Sequence, residues 1–275
     1  MLIFTTQSFN LSLTEGAAIF AAQEYIMRKL FVMILAFTAT LSTLAQQTPA
    51  TSLEPIPKKK KEYDLSKRAA DHFMFQIGFN SWLGAPDSIA NKISGLQRSA
   101  NVYIMLDRPF KGNQQLSIAA GIGIGMSNIY FEKMNVDIGS TNPVLPFINT
   151  DSTNNYKKYK VTTAFLEAPL ELRYTKNPSM PNKTLKAAVG IKFGTLLNAH
   201  TKGKNLRNSS GNSINTRTDK VLSKNYFNST RLAATARVGY GNFTLFGAYG
   251  LTGIFKDGVA ANMNSLQIGL TISGL

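Results

Sequence analysis

Residues 115–127 alternate strictly: Leu116, Ile118, Ala120, Ile122, Ile124 and Met126 take one face, and Ser117, Ala119, Gly121, Gly123, Gly125 and Ser127 the other. A period of two makes this run a strand with one apolar face and one small, polar face. It is longer than the ~5–6 residues of an average globular strand and matches the ~9–11 that a tilted strand needs to cross a bilayer.

Seven other stretches repeat the pattern. Phe73, Phe75, Ile77 and Phe79 oppose Met74, Gln76, Gly78 and Asn80, with Trp82 closing the run, and Val102, Ile104 and Leu106 oppose Asn101, Tyr103, Met105 and Asp107. Ala164 to Tyr174 at even positions face away from Phe165, Glu167, Pro169, Glu171 and Arg173. Leu185 to Phe193 at odd positions face away from Lys186 to Gly194. Leu232 to Tyr240 alternate with Arg231 to Gly239, a seventh run reaches from Phe243 to Phe255, and Leu266 to Ile272 close the chain. Connections after the second, fourth and sixth runs are short, with Gly241-Asn242 a two-residue hairpin signal. Those after the first, third, fifth and seventh are long and polar, residues 201–229 most of all. The pattern predicts an all-β fold over residues 72–275: an eight-stranded antiparallel up-and-down transmembrane β-barrel. Its short turns and both mature termini would be periplasmic and its long loops outside.

A soluble barrel or sandwich would also alternate, with the apolar face inward. The second face argues for a membrane barrel, because it mixes small residues with Asp107, Glu167, Glu171, Arg173, Lys186, Lys192, Arg231 and Arg237. Small residues fit a narrow lumen, and opposite charges can pair there, where an unpaired charge is too costly. A regular hairpin from Tyr174 to Leu185 sets Glu167 opposite Lys192 and Glu171 near Arg173 and Lys186, so these side chains plug the lumen. Phe73, Tyr174, Tyr240 and Phe243 at the short-turn end, and Phe79, Trp82, Tyr130, Phe131 and Phe255 at the loop end, are placed to form interfacial girdles.

Upstream, Met27-Arg28-Lys29, the apolar run from Leu30 to Leu41 and Thr43-Leu44-Ala45 read as a signal peptide over 27–45, cut after Ala45. Residues 1–26 are then an upstream extension, with translation starting at Met27. Residues 46–71, with Pro49, Pro55, Pro57 and Lys58 to Lys61, make a flexible basic periplasmic lead-in. After Ala45 no apolar run reaches the ~18–20 residues of a membrane helix.

The absence of cysteine removes disulfides, thiolate metal sites and a lipoprotein anchor. The formal charge of +15 points to phosphate-bearing partners. For an exported barrel that means anionic lipid and not nucleic acid. Lys202, Lys204, Arg207, Arg217 and Lys220 in the fifth connection form a candidate loop for contacting lipopolysaccharide phosphates, with divalent-cation dependence expected. Chemistry beyond binding has little support. Of the two histidines, His72 starts the first strand and His200 ends the fifth, and neither has a serine and carboxylate at matching spacing. A lipid A-modifying enzyme is therefore the weakest reading. Gly121-Ile-Gly123-Ile-Gly125 lacks a nucleotide-binding context and reads as lumen packing, and Asp151 to Asn155 lacks the glycine and glutamate of a calcium loop. No catalytic, metal or cofactor site is assigned.

Phe165-Leu166-Glu167-Ala168-Pro169-Leu170 with Arg173-Tyr174, then Tyr249-Gly250-Leu251-Thr252-Gly253-Ile254-Phe255-Lys256 and Ile268-Gly269-Leu270-Thr271-Ile272, resemble the PorT-like family. These are small outer-membrane β-barrel proteins of Bacteroidetes-type bacteria. Ala45-Gln46-Gln47 after the signal peptide fits that group, whereas Leu275 replaces the terminal Phe of proteobacterial barrels. The resemblance implies insertion by the general barrel-assembly machinery, and some family members are tied to secretion and gliding machinery. The function expected is a non-enzymatic outer-membrane barrel, structural or accessory, with basic extracellular loops. The alternative is an accessory subunit of a protein secretion or gliding complex.

Overall fold

Met74 pairs with Ser273 and Leu83 with Asn264, so the first strand lies antiparallel to the last and the sheet closes on itself. The computed structural model describes residues 73–274. It contains β1 (Phe73–Leu83), β2 (Arg98–Pro109), β3 (Leu116–Phe131), β4 (Met134–Val136), β5 (Phe147–Asn149), β6 (Asn155–Thr175), β7 (Leu185–Arg207), β8 (Ser213–Leu222), β9 (Thr230–Tyr240), β10 (Phe243–Gly250) and β11 (Asn264–Ser273). Strands β1, β2, β3, β6, β7, β9, β10 and β11 form a closed eight-stranded antiparallel barrel. Strands β4 and β5 pair only with each other, and β8 adds to the far half of β7. The upstream extension, signal peptide and lead-in expected over residues 1–71, together with His72, lie outside the described residues.

Burial along the barrel strands is inside out. Ile77, Ile104, Ile122, Leu172, Val189, Leu245 and Leu270 are exposed, while Gln76, Asn101, Glu167, Lys192, Gln267 and Thr271 are buried. Water would penalise such a surface, since exposed apolar patches beyond a few hundred Å² are rare on soluble monomers. A bilayer instead solvates it, and closure satisfies every strand edge within the apolar layer. On β6 the outward positions from Tyr174 to Ala164 carry no charge, a span that matches the ~9–11 residues of a membrane strand. Among the described residues no helix is long and apolar enough to cross a membrane.

Several strands run beyond the apolar layer and past the expected boundaries. β3 reaches Phe131, β6 starts at Asn155 and β7 continues to Arg207. The third connection, expected to be irregular, contains the β4–β5 hairpin. The fifth, expected to be the most loop-like, is largely a β-hairpin, because His200 pairs with Leu222 and Lys202 with Lys220. β10 stops at Gly250, so Phe255 belongs to a loop and not to the seventh strand.

The girdle at the short-turn end is present in outline: Phe73, Tyr174, Tyr240 and Phe243 are exposed. At the other end Phe79 is exposed, but Trp82, Phe131 and Phe255 are buried, contrary to the girdle expected of them. Trp82 packs edge-on to Phe131 at 5.7 Å and to Phe255 at 5.4 Å, and Phe255 also meets Phe227 at 5.1 Å. With Met134, Val136, Ile138, Leu145 and Met263 these rings make an apolar core across the long-connection end. The barrel thus carries a water-type core above its lumen, because connections outside the bilayer must bury their own apolar groups.

Candidate functional site

Two carboxylates organise the lumen. Glu167 on β6 is fully buried, accepts from Lys192 Nζ on β7 at 3.0 Å and from Arg231 Nη1 on β9 at 3.2 Å, and also accepts from the Tyr103 hydroxyl of β2. Glu171 accepts from Arg173 Nε at 3.0 Å, and from Arg237 Nε at 3.1 Å and Nη2 at 2.6 Å. The fork of Arg237 on both carboxylate oxygens is the bidentate geometry that favours arginine over lysine. Asp107 and Lys186 line a cavity of about 20 Å³ with Arg173 and Arg237 at the short-turn end. All eight lumen candidates therefore point inward, six of them in the two ion clusters.

The register differs from the simplest hairpin. Glu167 lies opposite Gly194, and Lys192 lies opposite Pro169. This two-residue offset keeps every face assignment, since only an odd slip exchanges faces. Lys192 reaches Glu167 diagonally, and Glu171 takes Arg237 as its second cation.

Sequence reasoning passed over the neutral part of the lumen. Asn101 Nδ2 donates to Gln76 Oε1 at 3.1 Å, Gln76 Nε2 to Thr271 Oγ1 at 3.1 Å, and Arg231 Nη2 to Ser265 Oγ at 2.8 Å. Asn80 also bonds to Ser127. Their signal was the inward parity they share with the charged residues. The glycines of β3 make room for this filling. A Cβ at Gly121 would strike Met105 Sδ at 2.3 Å, one at Gly123 the Tyr103 ring at 2.6 Å, and one at Gly125 Glu167 Oε2 at 2.6 Å.

Space is small at two places within the lumen, while a third space, of about 400 Å³, opens where Glu167 and Arg231 meet the outward-facing Ile122, Leu166 and Phe193. A cavity beside Tyr103, Lys192 and Arg237 holds about 10 Å³, and one beside Trp82, Arg231 and Ser265 about 20 Å³. Each is room for roughly one water.

The outer basic residues divide by strand parity. Lys202, Lys204 and Lys220 share the outward face of the β7–β8 hairpin, whereas Arg217 lies on the opposite face with its Nε 2.9 Å from Asp219, and Arg207 sits at the hairpin tip. Only part of the expected loop forms one surface, and that surface is sheet. His200 lies on it, beyond the apolar layer, with Nδ1 3.1 Å from Asn198 Oδ1. Burial, then Lys220, Lys160 and Lys202, push its imidazolium down in pKa from the ordinary value. Its titration midpoint is therefore expected below ~6.5, read by NMR of the two histidines and assigned with His200→Gln. Since the folded site disfavours the proton, its contribution to stability is complete above ~6.5 and falls as pH drops below that.

A family described as "Outer membrane protein beta-barrel domain" matches residues 64–256, more than half of the chain. The chain belongs to the outer membrane protein β-barrel domain family. Outer-membrane location follows, and it accounts for the inside-out burial, which an aqueous compartment would not tolerate. The match ends before β11, the strand that closes this family member's barrel against β1. Comparison with curated proteins found no match.

Proposed function

We propose that the protein is a non-enzymatic, non-conducting barrel, a structural or accessory component of the outer membrane whose long-connection end faces the cell exterior. The observation that carries this is the filled lumen: two ion clusters with an amide ladder, below an aromatic core at the long-connection end. Eight-stranded barrels leave an interior just wide enough for side chains, and here the side chains use it. His200, set among lysines, has surroundings suited to anion contact; Asn198 orients its ring, but general-base catalysis needs an aligned nucleophile as well. The resemblance to PorT-like barrels supports insertion by the barrel-assembly machinery.

The test is conductance. Purified protein reconstituted in planar bilayers is expected to show no stepwise current above background, with lipid A composition unchanged in cells lacking the gene. Steady channel openings would refute the sealed lumen, and altered lipid A would revive the enzymatic reading.

A second reading, an accessory subunit of a secretion or gliding complex, is favoured by one feature. β8 pairs with β7 on one side only and exposes Ile214 and Leu222, and an unpaired strand edge is a template for another chain. Gentle extraction in mild detergent separates the readings, since a lone barrel supports the first and a large particle carrying other envelope proteins the second.

A further inference from the structure

On the outward face, the apolar layer gives way to polar residues in an ordered sequence. Ile124 pairs with Leu166 and Met126 with Ala164 within the layer; the next outward rung joins Asn128, Thr162, His200 and Leu222. The rung beyond that joins Tyr130, Lys160, Lys202 and Lys220 across four strands. Lys158 and Lys204 face each other one rung further. Three lysines thus stand side by side at the level where an interfacial tyrosine marks the edge of the bilayer.

We propose that Lys160, Lys202 and Lys220, flanked by Lys158 and Lys204, form a binding site for the phosphate groups of outer-leaflet lipopolysaccharide. The inference rests on the outward orientation of the long-connection end proposed above.

Like charges directly opposite one another in a sheet are destabilising, so this row needs a counter-anion. The three lysine-bearing strands offer none of their own: no Asp or Glu occupies the outward positions of residues 158–164, 198–204 or 218–222. Asp219 lies on the other face, engaged by the Tyr156 hydroxyl at 2.7 Å and by Arg217. Glu132, just past β3, accepts from Ser94 Oγ at 2.9 Å. Lys160 is also held in place, its Nζ donating to Asn128 Oδ1 at 2.6 Å and lying 5.8 Å above the Tyr130 ring. A half-buried ammonium fixed in this way spends little entropy on binding. Its charged form is disfavoured by burial, then by Lys202 and Lys204, a strain that an anion would relieve. β8 adds to the case because it plays no part in closing the barrel, yet it completes the row with Lys220. A lysine binds phosphate as a point charge, so a row of lysines fits a lipid headgroup bearing more than one phosphate.

The test uses the mature full chain in phosphatidylcholine vesicles containing diphosphoryl lipid A, dephosphorylated lipid A, or neither with inorganic phosphate added. Binding is followed by the His200 titration midpoint and by lipid retained after detergent extraction. Diphosphoryl lipid A is expected to raise the His200 midpoint and to be retained; the dephosphorylated form and free phosphate are not. Lys160→Gln/Lys202→Gln/Lys220→Gln should weaken retention by about tenfold or more, the scale of a lost charge-assisted contact. Lys157→Gln/Arg207→Gln/Arg217→Gln removes equal charge outside the row, Lys157 lying on β6 between Tyr156 and Lys158, at the opposite parity to Lys158 and Lys160, and should change retention by less than about threefold on the same scale. Folding is checked by gel mobility before and after boiling, and Lys220→Gln alone, on the exposed strand, serves if the triple variant does not fold. Equal losses for both triple variants, or retention indifferent to lipid phosphate, would overturn the site. A midpoint raised equally by free phosphate would overturn the lipid assignment. Amine labelling of Lys220 on intact cells tests orientation separately: labelling only after the outer membrane is opened would refute that reading while leaving the vesicle result standing.

Discussion

Glu167→Ala is expected to destabilise the barrel by about 3–5 kcal/mol, the cost of leaving buried charge without its partner. Glu167 is the shared acceptor of Lys192, Arg231 and Tyr103, so its removal strands two cations at once. Two of the neighbouring spaces hold only about 10 and 20 Å³, and a third, of about 400 Å³, is walled largely by the outward-facing Ile122, Leu166 and Phe193. The measurement is the temperature at which the compact unboiled gel band converts to the unfolded mobility in detergent. Combining Glu167→Leu with Lys192→Met and Arg231→Met should recover most of the loss, since a whole ion cluster replaced by apolar residues is often neutral or better. An unchanged midpoint in Glu167→Ala would mean that the lumen admits water freely, and the sealed interior would have to be abandoned.

Phe255→Ala is expected to cost about 3–5 kcal/mol in the apolar core at the long-connection end, the usual range for a buried phenylalanine. Phe255 touches Trp82, Phe147 and Phe227, at ring separations of 5.4, 6.2 and 5.1 Å. Trp82 is the sole tryptophan of the chain, so its emission reports this core directly. The wild-type spectrum should be that of a buried indole, moving to the red in Phe255→Ala while the barrel band on gels persists. The connections should also become sensitive to protease, because local opening of a satellite core need not melt the strands below it. An emission already at the water-exposed position in the wild type would show that the core does not form.

Within the bilayer the sequence was nearly transparent, because there the solvent imposes one rule on every outward position. Alternation from Leu116 to Met126 or from Tyr174 to Ala164 can be read as it stands, and it fixes which residues enter the lumen. The ion clusters were legible as a set, since Glu167, Lys192, Arg231 and Arg237 share inward parity. The pairs Glu167–Lys192 and Glu171–Arg173 were legible too, but the strand register and the second cations, Arg231 and Arg237, were not, because the turn between β6 and β7 moves the register by two residues, a slip that leaves parity untouched.

Beyond the bilayer the rule lapses. Residues 201–222 alternate lysine with small or polar groups and have no apolar face, so the β7–β8 hairpin carried no hydrophobic signal and read as loop. The same loss hid the row of Lys160, Lys202 and Lys220: the three are dispersed in sequence and meet only through register. Trp82, Phe131 and Phe255 went astray in another way. Aromatics near strand ends suit a lipid interface and an apolar core equally well, and only the path of the long connections decides between them.

The central claim is that outward apolar positions face lipid and inward polar positions face a closed lumen. It is tested most directly by cysteine scanning along β3, which is clean because the native chain has no cysteine. Single cysteines at Ile118, Ile122 and Ile124, and at Ser117, Ala119 and Ser127, would be labelled with a fluorophore after reconstitution and challenged with lipid-borne and water-soluble quenchers. The even positions are expected to label and to be quenched only from within the bilayer, while the odd positions label poorly or are reached by neither quencher. Even positions quenched from water, or odd positions open to it, would contradict the sealed membrane barrel.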